Sequence, residues 1–167
     1  TTFVLIDECS FNQNLCPFYA YSKRDSKSIV VTKPKGPNYS LIAAMTPNSI
    51  LGFQIFKGEV QQNDFGSFII RLVKLLCSLG YDKTDYVFFL DNAPIHRGKI
   101  VSSFLKKFCI LYNAPYSPFL NPIEELFGEW KKIFRSKVFD EKESVVERIL
   151  LSYAELDTQN ISKYYYH

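Results

Sequence analysis

The chain has 167 residues, 47% hydrophobic and 22% charged, which fits one ordinary globular domain and excludes a disordered or low-complexity polymer. Its net charge of +3 is too small to identify a nucleic-acid binder by itself. No uninterrupted apolar run is long enough to span a bilayer and no signal peptide is visible, so no membrane partner is expected.

Phe3 to Ile6 is a short apolar run that ends in Asp7 and predicts a buried strand. Residues 8 to 38 read as irregular and basic, punctuated by Pro34, Gly36 and Pro37. Tyr39 to Thr46 and Ile50 to Lys57 predict a hairpin closed by Pro47, Asn48 and Ser49. Asn63 is suited to cap a helix whose stripe is Phe65, Phe68, Ile69, Leu72, Leu76 and Leu79, with Gly80 as its stop. Tyr86 to Leu90 is a second apolar strand, and it ends in Asp91. Val101, Phe104, Leu105 and Phe108 mark another helix, followed by a short strand, Ile110 to Tyr112. The turn Ala114 to Pro118 leads to a helix opened by Pro122, whose inward stripe is Ile123, Leu126, Phe127, Trp130, Ile133 and Phe134. Val145, Ile149, Tyr153 and Leu156 predict a last helix. This order describes an α/β chain with a mixed sheet and no internal repeat. Because Thr1 to Ile6 already reads as a strand, the chain is expected to be a piece of a longer protein.

Five basic residues, Lys23, Arg24, Lys27, Lys33 and Lys35, surround the single acid Asp25, and further groups contain Arg97 with Lys99, Lys106 with Lys107, and Lys131, Lys132, Arg135 and Lys137. Each group suits phosphates, and each taken alone suits a solvated face equally well. Cys9, Cys16, Cys77 and Cys109 lack CxxC spacing and read as buried free thiols rather than a zinc or disulfide framework.

The chemistry is concentrated in acids. Asp7 and Asp91 each follow an apolar strand, where side chains emerge at the end of an open α/β sheet. Glu124 lies in the first turn of its helix, beside the apolar stripe. An isolated Asp after a strand is more often a turn or cap residue, and a Glu near a helix start is normally a dipole partner. Should the three converge, their mutual repulsion calls for a hard divalent cation.

The stretches LIDECSFN (5–12), FLDNAPIHRGK (89–99) and APYSPFLNPIEELFGEWKK (114–132) resemble, in order, the three signature blocks of mariner-like DDE transposases and related bacterial insertion-sequence transposases. The resemblance runs across nearly the whole chain, and its third block is long and specific. It implies a ribonuclease-H-like fold, with residues 1–167 forming one DDE catalytic domain that lacks the family's N-terminal helix-turn-helix region. By position it implies that Asp7, Asp91 and Glu124 are the catalytic, metal-binding carboxylates, holding two Mg2+ ions for which Mn2+ can substitute. Asn92, His96 and Asn121 match residues that orient those ligands or touch DNA, and Ser117, Pro118 and Pro122 match the turn that aims the glutamate. Lys23, Arg24, Lys27, Lys33, Lys35, Arg97 and Lys99 are the candidate contacts to the DNA backbone.

Two departures stand out. The interval 92–123 is slightly shorter than is usual in the family, and Ala114 replaces a common proline. Glu125 is the alternative to Glu124, but it points about 100° further around the helix.

The implied activity is cutting at transposon ends and joining them to target DNA, with DNA as partner and a homodimer expected for the full-length protein. The alternatives are a domesticated DNA-binding or protein-interaction module without catalysis, and a structure-specific nuclease on the same fold. The expected compartment is the nucleus in a eukaryote or the cytoplasm in a bacterium.

Overall fold

The computed structural model describes residues 1–15, 24–25, 36–115, 117–136 and 143–165. A five-stranded mixed sheet in the order β3-β2-β1-β4-β5 forms its centre. The strands are β1 (Thr2–Asn12), β2 (Asn38–Met45), β3 (Ile50–Lys57), β4 (Tyr86–Leu90) and β5 (Cys109–Tyr112). β1, β2 and β3 pair antiparallel, while β1–β4 and β4–β5 pair in parallel. The helices are α1 (Gln62–Ser78), α2 (Lys99–Leu105), α3 (Pro122–Ser136) and α4 (Val145–Ala154).

Alternation along β1 sorts the core into two layers. Leu5, Cys9 and Phe11 join β2 residues, the α3 stripe and α4 on one face. Val4 and Ile6 join Phe65, Phe68, Ile69 and Leu72 of α1, together with Val101 and Leu105 of α2, on the other. Trp130 is fully buried at the centre of the first layer and donates Nε1–H to Ser152 Oγ at 2.9 Å. Phe11 and Phe53 meet its ring edge-on.

Several elements differ from the sequence reading. β1 does not stop at Ile6, because residues 8 to 12 pair with β2 as far as Asn12↔Asn38. Their alternation of Glu8, Ser10 and Asn12 with Cys9 and Phe11 fits a strand with one face in the core and the other less buried. Helix α1 is capped by Gln61 rather than Asn63, with Asp64 accepting from Gln61 N–H at 3.0 Å. Gly80, at φ 86°, ends the turn that follows. Phe108 lies outside α2. A 3-10 turn, Ile161–Tyr165, packs its Ile161 and Tyr164 into the α3 layer. Cys9 is buried as expected, but Cys77 and Cys109 are exposed. Cys16 lies outside the described residues. Among the described residues no helix is long and apolar enough to cross a membrane.

Candidate active site

The parallel register of β1 and β4 is Leu5↔Phe89 at its last pair, and continuing it sets Asp7 beside Asp91. The next ladder ends at Leu90↔Tyr112, and Asn113 N–H donates to Leu90 O at 2.7 Å. Asp7, Asp91 and Asn113 therefore form a row across three strands. Asp7 is thus not at a strand end. It lies mid-strand, at the point where its parallel neighbour stops and uncovers it.

Glu124 reaches this row from α3. Pro122 opens that helix, and Asn121 O accepts Glu124 N–H at 3.0 Å. Asp7, Asp91 and Glu124 line one open cavity of about 400 Å³, together with Asn92, Asn113, Ser117 and Asn121.

Each aspartate is gripped. Asp7 Oδ1 accepts Glu8 N–H at 2.7 Å, and its Oδ2 accepts Asn121 Nδ2 at 2.8 Å. Asp91 Oδ1 accepts Ala93 N–H at 2.8 Å and His96 Nδ1 at 2.7 Å. The other ring nitrogen of His96 donates to Glu8 at 2.9 Å. Asn113 Nδ2 donates to Ser117 O at 2.8 Å and so ties the row to the loop before α3.

Burial, then the nearby Glu8, Glu124 and Asp91 carboxylates, push the Asp7 carboxyl up to about 7. Burial and then Asp91 also raise Glu124, with Lys131 opposing them. The hydrogen bond from His96 holds Asp91 below the usual carboxylate range. Burial alone would depress His96, but its bonds to Asp91 and Glu8 outweigh it and lift the ring to about 10.

The all-oxygen donor set of Asp7, Asp91 and Glu124 fits a hard divalent cation, and burial followed by the neighbouring carboxylates disfavours the charged form of Asp7, which a cation would favour. Among the described residues no three His, Cys, Asp or Glu side chains already stand within reach of one ion.

A family model described as DDE superfamily endonuclease matches residues 2–146. The chain belongs to this family. No curated protein sequence matches this DDE endonuclease domain significantly. Among solved structures it is similar to a pre-cleavage Mos1 transpososome, with TM-score 0.79, 20% identity and coverage of 97% of this chain and 51% of that one. A Mos1 transposase paired-end complex with left transposon end gives TM-score 0.77, 21% identity and coverage of 97% and 50%. The catalytic domain of Mos1 mariner transposase gives TM-score 0.70, 22% identity and coverage of 97% and 74%. The DDE domain thus has the ribonuclease-H-like fold expected from its sequence, and it spans about half the length of the Mos1 chains in those complexes.

The other predicted residues of the DDE domain separate into groups. Asn92 lines the cavity, donates Nδ2 to Asn113 O at 2.5 Å and accepts from Arg97. Arg97 also lies over the Tyr112 ring at 5.0 Å. His96 is fully buried. Asn121 is buried too, facing Asp7 and not solvent. Arg24 is exposed. Lys99 begins α2. Lys23, Lys27, Lys33 and Lys35 lie outside the described residues.

Sequence reasoning missed Asn113 and Glu8. Asn113 carries the same signal as Asp91, a polar residue directly after an apolar strand. Glu8 carries none, because its partner His96 is 88 residues away.

Proposed function

We propose that this domain is the metal-dependent DNA endonuclease and strand-transfer core of a transposase, with Asp7, Asp91 and Glu124 as its catalytic ligands. The observation that carries the reading is the shared cavity of these three carboxylates in a chain of the DDE endonuclease family. When bound, two Mg2+ ions, or Mn2+ in their place, supply charge neutralisation to the attacking and leaving oxygens of an in-line displacement at phosphorus.

The chain's own residues hold the geometry. Asn121 and the Glu8 N–H orient Asp7, while Ala93 N–H and His96 orient Asp91. Glu124, in the first turn of α3, closes the set from the other side of the cavity. In cleavage, a water oxygen bonds to phosphorus as the P–O3′ bond breaks, leaving a 3′-hydroxyl and a 5′-phosphate. In joining, that 3′-hydroxyl attacks a target phosphodiester with the same balance. Arg97 and Lys131, near the carboxylates, are suited to phosphates. DNA is the proposed substrate, as in the Mos1 complexes with a transposon end, and pairing two ends calls for a homodimer of the full-length protein.

Nicking of plasmid DNA by the purified chain with Mg2+ or Mn2+ tests this. Asp91→Asn, folded by circular dichroism, is expected to lose the activity. Retained nicking by that variant defeats the assignment. Cleavage without strand joining by the full-length protein would favour a structure-specific nuclease, and metal-independent binding alone would favour a domesticated module.

A further inference from the structure

We infer that Glu8 is a positioning residue that fixes the two aspartates relative to one another, holding Asp7 through its backbone and Asp91 through His96. The inference rests on the proposed metal-dependent chemistry and extends it to a side chain on the opposite face of the sheet from Asp7.

The geometry is a closed chain of contacts around the end of β4. Glu8 N–H donates to Asp7 Oδ1 at 2.7 Å. Strand alternation then sends the Glu8 side chain to the α1 face. There it accepts His96 Nε2 on both oxygens, at 2.9 and 3.2 Å. The His96 ring is fully buried and lies 4.3 Å from the Phe65 ring of α1. Its Nδ1 reaches Asp91 Oδ1 at 2.7 Å and the Asp91 carbonyl oxygen at 3.3 Å.

A carboxylate oxygen stands within hydrogen-bond distance of each ring nitrogen, so the ring bridges Glu8 and Asp91. With Ala93 N–H also on Asp91 Oδ1, that oxygen is fully engaged. No described group donates to Oδ2, and this is the oxygen left for a cation. Without Glu8, His96 loses its Nε2 anchor, and Asp91 keeps only Ala93 N–H as a firmly placed partner. Partners that orient metal ligands in this way commonly set affinity by about 10–100-fold.

The test uses this chain and two readouts, Mn2+ binding followed by electron paramagnetic resonance and the His96 ring N–H signals followed by 15N NMR. Glu8→Ala is expected to weaken Mn2+ binding by about 10–100-fold and to lose the protected Nε2–H signal. Glu8→Gln keeps one acceptor and should fall between Glu8→Ala and wild type. A purely structural role would lower the melting temperature without moving the Mn2+ affinity of the folded protein. A folded Glu8→Ala protein with wild-type Mn2+ affinity overturns the inference. Should Glu8→Ala fail to fold, Glu8→Gln decides it, and wild-type affinity with an equally protected Nε2–H overturns it. If the wild-type chain itself binds no Mn2+, the metal-dependent reading falls. The ring signals still decide the anchor, which is overturned if Glu8→Ala leaves both N–H protons protected.

Discussion

Asn121 donates its side-chain amide to Asp7 at 2.8 Å, in a buried contact between residues 114 apart in sequence. That single bond joins the residue before α3 to the middle of β1. The turn that aims Glu124 is thereby fixed to the strand that carries Asp7. Replacing Asn121 with Ala should lower activity by about 10–100-fold, as loss of a ligand-orienting partner does, and destabilise the fold by about 1–3 kcal/mol. Kinetics on plasmid DNA and urea unfolding check the two effects, and an active, equally stable variant would refute the coupling.

Asp7 is held in the fold at the expense of stability. Its folded carboxyl titrates at about 7 against 3.8 unfolded, so its contribution is complete below 3.8 and is lost as pH rises through 7. Asp7→Asn carries no charge at any pH. In EDTA the variant's advantage over wild type should grow between pH 5 and pH 8, reaching at most roughly 4 kcal/mol at pH 8, while the variant loses activity. Denaturant unfolding at the two pH values measures this, and a variant less stable than wild type at pH 8 contradicts it.

Trp130 fills the layer between the sheet and α4 and satisfies its indole N–H on Ser152. Trp130→Phe removes that donor and leaves a void. The expected loss is about 1–3 kcal/mol in thermal unfolding. An unchanged melting temperature would show that the layer repacks freely.

Glu129 accepts from Tyr164 at 2.7 Å and pairs with Lys163 at 3.0 Å, fastening the 161–165 turn to α3. Burial opposes the charge, but these two partners win and hold the carboxyl below its usual range. A depressed carboxyl stabilises above its unfolded pKa, and that support is lost as pH falls through the folded value. Glu129→Gln should therefore flatten the acid limb of the stability profile. The pair is partly exposed, so the effect should also shrink in high salt. Acid limbs that superimpose for the two proteins would rule it out.

Lys33 and Lys35 belong to the basic run picked out by sequence. Changing both to Ala should weaken DNA binding and reduce the slope of log K against log salt by roughly 2, since each neutralised phosphate contributes about 0.9. Binding isotherms at several salt concentrations give the slope directly. An unchanged slope marks the run as a solvated face.

By itself the sequence determined the fold class and most element positions, and it singled out three acids that line one cavity, Asp7, Asp91 and Glu124. These are local or nearly local signals. Apolar runs end in Asp7 and Asp91, Pro122 opens α3, and the stripe from Ile123 to Phe134 keeps helical spacing. What tertiary structure decided depends on partners far apart in the chain. β1 continues past Asp7 because β2 pairs with it, and Asp7 faces the cavity because β4 ends beside it. His96 is buried because Phe65, Glu8 and Asp91 enclose it. The role of Glu8 follows from that enclosure alone. Period-2 alternation places its side chain away from Asp7, and only the packing of the Pro94–Arg97 turn against α1 brings a histidine there to link the two aspartates.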